Sequence, residues 1–201
     1  MNKLAMTLLW LSLCLASSAS AQNEVASTRP SEVNPFAHRF GLGTHATGWH
    51  GSYGGVGVGG RVRVELTSWL GTDLFGEALL VETPHGLRHD HPIGFNLYVP
   101  IRLSEKVRLR PLFGMCVVAS FIDPTEPNAQ RADDLLFGAH LGAGVDLPLH
   151  ERLSFFTEAK AVLWFGHDRS VQGWTGAVSN VMQPFIVGQV TAGLTLHFGG
   201  A

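Results

Sequence analysis

Residues 55–66 read Gly55-Val56-Gly57-Val58-Gly59-Gly60-Arg61-Val62-Arg63-Val64-Glu65-Leu66. Val56, Val58, Val62, Val64 and Leu66 take alternate positions. Gly57, Gly59, Arg61, Arg63 and Glu65 take the positions between them. Successive side chains of a strand point to opposite sides of the sheet, so this stretch is a strand with one apolar face and one face of glycine and charge. The chain around it repeats the pattern. Ile93, Phe95, Leu97, Val99, Ile101 and Leu103 alternate with Gly94, Asn96, Tyr98, Pro100 and Arg102. Leu135, Phe137, Ala139, Leu141, Ala143, Val145, Leu147 and Leu149 oppose Gly138, His140, Gly142, Gly144, Asp146 and Pro148.

Period-two alternation of this kind predicts eight strands, over residues 36–45, 54–66, 70–82, 93–103, 107–121, 135–149, 153–165 and 185–198. A helical period is convincing nowhere after the leader, and no later stretch reaches the run of about 18 apolar residues that a membrane helix needs. Yet the chain is 45% hydrophobic and its mean hydropathy is positive. Short connections fall at Thr67-Ser68-Trp69, Ser104-Glu105-Lys106 and His150-Glu151-Arg152. Longer polar ones fall at 46–53, 83–92, 122–134 and 166–184. Short turns on one rim and long loops on the other, with an even strand number, predict an eight-stranded antiparallel up-and-down transmembrane β-barrel.

The charged residues of the strands keep one phase. Arg39, Arg61, Arg63, Glu65, Asp73, Glu77, Arg102, Arg108, Arg110, Asp146, Glu158 and Lys160 share the non-apolar face, and Glu82 alone lies on the other, at a strand end. Two barrels fit such faces. A lipocalin-like soluble carrier would turn the apolar face inward, around an apolar ligand. A membrane barrel would turn it outward, where a Lys or Arg at the bilayer midplane costs about 2–4 kcal/mol. Glycines crowd the polar face, as a narrow interior packed with large charged side chains requires. Aromatic residues gather near the strand ends: Phe36, Trp69, Phe155 and Phe198 toward one rim, Tyr53, Phe121, Trp164 and Phe165 toward the other. These are positions for interfacial girdles. Both features favour the membrane barrel. Pro100, Pro111 and Pro148 lie inside predicted strands, each without a ladder donor, and call for bulges near a rim.

Residues 1–21 read as a cleavable signal peptide. Lys3 precedes the apolar run Leu4–Leu15, and Ala19-Ser20-Ala21 supplies a small-residue cleavage site before Gln22. Residues 22–35 are polar, hold Pro30 and Pro35, and predict a flexible N-terminal segment ahead of a barrel over 36–198. Loss of Cys14 with the leader leaves Cys116 without a disulfide partner, so the fold must be held by its own packing or by a membrane. Net charge is -2 and no basic block exists, which leaves nucleic-acid binding without support.

The last strand, Thr191-Ala192-Gly193-Leu194-Thr195-Leu196-His197-Phe198, fits polar-x-Gly-x-x-apolar-x-aromatic. It resembles the C-terminal β-signal of outer-membrane barrels; Gly199-Gly200-Ala201 follow its aromatic residue. With Gly142-Ala143-Gly144-Val145-Asp146 and Leu153-Ser154-Phe155, the chain from Phe36 to Phe198 resembles the small OmpA/OmpX-like barrel superfamily. The resemblance implies an outer-membrane protein, delivered to the barrel-assembly machinery through Thr191, Gly193, Leu196 and Phe198 and seated in outer-membrane lipid. No cell-wall-binding domain follows, so a wall tether is not expected.

Within the barrel, Arg61, Arg63, Glu65, Asp73, Glu77, Arg108, Arg110, Asp146, Glu158 and Lys160 predict an interior charge network. Opposite charges of this number fill a lumen too narrow for a channel; a narrow pore is the alternative. His45, His50, His85, His89, His91 and His167 are expected in outer loops, where Glu82, His85, His89, Asp90 and His91 include metal-ligand types but match no strong metal motif. His167-Asp168-Arg169-Ser170 contains the residue types of a lipid-modifying hydrolase without its motif. Cys116 is expected to face inward as a small apolar residue. The reading is a monomeric, non-enzymatic barrel with no cofactor or metal, whose outer loops meet a partner that the sequence does not name.

Overall fold

A computed structural model describes residues 39–51, 54–83, 86–124, 132–166 and 185–199. The expected leader (1–21), the segment 22–35, Phe36, Tyr53, His85 and residues 167–184 lie outside them. The described strands are β1 (Phe40–His50), β2 (Gly55–Glu65), β3 (Gly71–Thr83), β4 (Gly86–Tyr98), β5 (Ile101–Ser104), β6 (Val107–Pro124), β7 (Ala132–His150), β8 (Leu153–Gly166) and β9 (Phe185–Phe198). Each pairs antiparallel with its neighbours in the order β4-β3-β2-β1-β9-β8-β7-β6-β5, and β4 also pairs with β6. That pairing closes the sheet. Because β4 and β5 lie end to end on β6, the nine strands form the eight staves of a barrel. Closure leaves no edge, so the ladder itself satisfies the backbone donors and acceptors, a necessity in hydrocarbon.

The valine-rich face points outward. Val56 and Val58 are 67% and 66% exposed, while Arg61 and Arg63 on the same strand are buried. Among the described side chains, the outward strand positions carry no lysine, arginine or aspartate, and Glu82 at the end of β3 is their one glutamate. The lipocalin-like alternative needs the reverse arrangement and is not the one adopted.

Prolines shape the staves near the rim, as expected of residues that cannot donate to the ladder. Pro100 separates β4 from β5, and the ladder continues across the gap because the Val99 N–H donates to the Pro111 carbonyl at 3.1 Å. The β7–β8 register shifts between Pro148 and His150.

Several expectations are corrected. Residues 86–92 are strand rather than loop: β3 runs to Thr83, β4 starts at Gly86, and the two pair as far as Thr83↔Gly86. Arg88, Asp90 and Pro92 face inward and Leu87, His89 and His91 outward, so polar residues on both faces concealed a regular strand. Strand rather than loop also holds His45 in β1, with His50 ending that strand. The β1 stave occupies 40–50 rather than 36–45. Arg39 and Arg102 are exposed at the rim where the short turns lie, outside the buried interior set. Trp164 belongs to no outer girdle: it is 1% exposed, inside the barrel.

Candidate functional site: the filled lumen

The lumen is built in layers. Nearest the short turns lies a floor of charge. Arg63 and Asp73 are cross-strand partners on β2 and β3, and Arg108 and Asp146 on β6 and β7, so ladder register alone brings each pair together. Asp73 accepts from Arg63 Nε at 2.9 Å, Arg61 Nη1 at 3.3 Å and Arg110 Nη1 at 3.2 Å. Asp146 accepts from Arg63 Nη1 at 3.0 Å and from Arg108 Nε and Nη2 at 3.1 and 2.9 Å, with Arg110 Nε 2.9 Å away. Glu158 takes a two-pronged bond from Arg61 at 2.5 and 2.9 Å and a third from Arg110 Nη2 at 2.9 Å. Glu65 accepts from Arg108 Nη1 at 2.8 Å and from the Tyr98 hydroxyl at 3.0 Å. Each of these carboxylates bridges two or more donors, and the planar arginine fork permits the bridging. Rings complete the layer: the Arg61 guanidinium lies 3.8 Å from the Phe156 centroid, and Arg63 and Arg110 flank Tyr98 at 5.5 and 5.2 Å.

Above the floor is a belt of mixed polarity. Glu77 accepts from Gln189 Nε2 at 2.9 Å and faces His45 Nε2 at 3.0 Å. Gln189 also donates to Thr47 Oγ1 at 2.9 Å, and Thr47 meets Thr191 at 3.2 Å. Lys160 places its ammonium 4.6 Å from the Phe75 centroid. Glu77 and Lys160, expected in one network with the arginines, therefore stand in this belt, whereas Arg61, Arg63, Glu65, Asp73, Arg108, Arg110, Asp146 and Glu158 converge in the floor.

Toward the other rim the lumen is apolar. Trp49, Leu79, Val81, Val118, Leu136, Val162, Trp164 and Val187 form a buried cluster, with the Trp49 and Trp164 rings 5.4 Å apart. Sequence reasoning missed this cap, although its parity was readable: Val162 and Trp164 continue the phase of Glu158 and Lys160, and Leu79 and Val81 that of Asp73 and Glu77.

Of the expected assembly residues on β9, Thr191 faces inward, Gly193 pairs with His45, and Leu196 and Phe198 project outward. Glu82, His89 and His91 do not converge: among the described residues, no group of three or more His, Cys, Asp or Glu side chains is placed to share a metal ion. The His167–Ser170 stretch lies outside the described residues. Chemically, this lumen offers charge matched by opposite charge below and a layer of apolar side chains above.

Solved structures share this fold. Neisserial surface protein A matches at 11% identity and TM-score 0.60, covering 79% of this chain and 97% of that one. A major outer membrane protein from Thermus thermophilus matches at 19% identity and TM-score 0.55, covering 80% and 100%. The fold is that of the small outer-membrane β-barrels. The Yersinia pestis attachment invasion locus protein Ail, in complex with the heparin analogue sucrose octasulfate, matches at 13% identity and TM-score 0.50, covering 80% and 97%. No protein-family model and no curated protein matches the sequence.

Proposed function

We propose that this chain is an integral protein of the bacterial outer membrane, exported by its leader, whose barrel is a closed, non-enzymatic scaffold. It holds the connections at its long-loop rim where they meet the cell's surroundings. The observation that carries this reading is the outward face. Apolar side chains cover every described stave, from Leu42 and Val58 through Ile93 and Phe113 to Leu141 and Ile186, and in water a patch of that size would be an aggregation site. The lumen supports the scaffold role rather than transport: its floor is ion-paired and its upper layer is packed with aromatic and aliphatic side chains. Thr191, Gly193, Leu196 and Phe198 act as the recognition signal for the barrel-assembly machinery in this reading, and export through the 1–21 leader delivers it there.

Fractionation after expression with the native leader tests the proposal. The protein is expected in the outer-membrane fraction, starting at Gln22, and migrating differently on SDS gels before and after boiling. Recovery as a soluble periplasmic protein would overturn it.

A further inference from the structure

Among the described residues, the cations that the lumen does not bury all stand at one rim. Arg39, Arg102, Lys106 and Arg152 are exposed, beside the short turns or at the start of β1. Two exposed carboxylates, Glu105 and Glu151, oppose these four cations, so the rim is net positive. At the other rim no described lysine or arginine is exposed, and Glu82 is. Two of the cations flank one strand end. The Arg39 N–H donates to the Gly199 carbonyl at 3.3 Å, and the Arg152 carbonyl accepts from the His197 N–H at 2.7 Å, so the arginines stand on either side of β9. Two strand spacings, about 10 Å across the sheet, separate them. Arginine side chains are long enough to close that span on one phosphate, and their planar fork matches its oxygens. The neighbouring outward residues are aromatic: Phe40 follows Arg39, Phe198 ends β9, and Trp69 is exposed on the adjacent β2–β3 turn. Aromatic side chains gather at headgroup depth, so cations one residue beyond them meet the phosphates.

We propose that this rim binds an anionic glycerophospholipid, phosphatidylglycerol in class, with Arg39 and Arg152 holding its phosphate at the end of β9. The inference rests on the membrane barrel proposed above and names the lipid that one of its rims selects. In that reading the short turns face the periplasm, and the leaflet beside them is glycerophospholipid. Charge complementarity carries the choice of an anionic headgroup. Each basic group near an anionic membrane surface contributes about 1 kcal/mol, which is about fivefold in binding. The arginines are exposed, so the preference weakens as salt screens them.

Vesicles of defined composition test it. The full chain, expressed with its leader and purified in detergent, is refolded into phosphatidylcholine, with or without an equal share of phosphatidylglycerol of the same acyl chains. Arg39→Gln with Arg152→Gln is treated in the same way. Gel migration of unboiled samples across a urea series gives the folding equilibrium constant. Phosphatidylglycerol is expected to raise that constant more for wild type than for the double variant, by about fivefold or more, and added salt to shrink the difference. An equal response from the two proteins overturns the proposal. So does a gain that inorganic phosphate reproduces in phosphatidylcholine vesicles, since the ligand would then be a free anion. In both cases insertion into phosphatidylcholine leaves the membrane barrel standing. Failure to insert into either vesicle would defeat that reading and this site with it. Lipid that copurifies with wild type from its native membrane gives a test without any variant: enrichment of phosphatidylglycerol over its share of the bulk lipid supports the site, and its absence refutes it.

Discussion

Asp146 is touched by three guanidinium groups, from Arg63, Arg108 and Arg110, and all four side chains are buried. Replacing it by alanine leaves the four floor arginines with three carboxylates, Glu65, Asp73 and Glu158, and so one buried positive charge in excess. Removing one partner of a buried ion pair costs about 3–5 kcal/mol, so Asp146→Ala is expected to lower the urea midpoint of the refolded barrel by that order. A loss under about 1 kcal/mol would mean that water reaches the floor and solvates the arginines. Gly71 makes a separate test in the same layer. A Cβ on it would collide with the Tyr98 ring, which covers the backbone of its cross-strand partner. Gly71→Val must displace that ring from between Arg63 and Arg110, and overpacking of this kind costs about 1–3 kcal/mol. The same urea titration measures it, and an unchanged midpoint would show that the ring does not lie over Gly71.

At the scale of a strand, the exterior of β7 gives the sharpest test. Leu141 lies near the middle of Ala132–His150 and is 69% exposed. If lipid covers it, Leu141→Arg costs about 2–4 kcal/mol in a bilayer; on a water-soluble barrel it would cost nothing measurable. Refolding yield and urea midpoint in lipid vesicles separate the two. Strands were also where the sequence was most and least readable. In β2 each face holds one chemistry, so phase, extent and inward residues followed from spacing alone, and Arg61 and Arg63 lie inside as their alternation with valine requires. In β4 the outer half places Arg88 and Asp90 inward but His89 and His91 outward, so no contrast marks the faces and the strand reads as a loop. The apolar cap was hidden for the opposite reason. On β3 and β8 the inward positions change from charged to apolar partway along, at Leu79 and Val162, while the outward positions stay apolar throughout. Which floor arginine meets which carboxylate depends on closure of the ring, since Arg61 and Glu158 sit on staves that are not neighbours.

Across the whole molecule, two layers of different physics close the lumen in series. The floor resists an ion because each carboxylate already holds its arginines. The cap resists a cation because the side chains of Trp49, Trp164, Leu79 and Val118 offer no oxygen to replace its hydration shell. Layers in series conduct only when both are open. Wild-type barrel is therefore expected to be silent in planar bilayers. Arg61→Ala with Arg110→Ala, which empties much of the floor, is expected to remain silent because the cap is intact. Adding Trp49→Ala and Trp164→Ala removes the two neighbouring indoles as well, and only this combined variant is expected to show discrete conductance steps. Insertion is verified by gel migration of unboiled protein recovered from the same vesicles. Steps from inserted wild type would mean that the scaffold is a pore. Steps from the floor variant alone would leave the arginine layer as the sole barrier and the cap as a wetted, mobile lining.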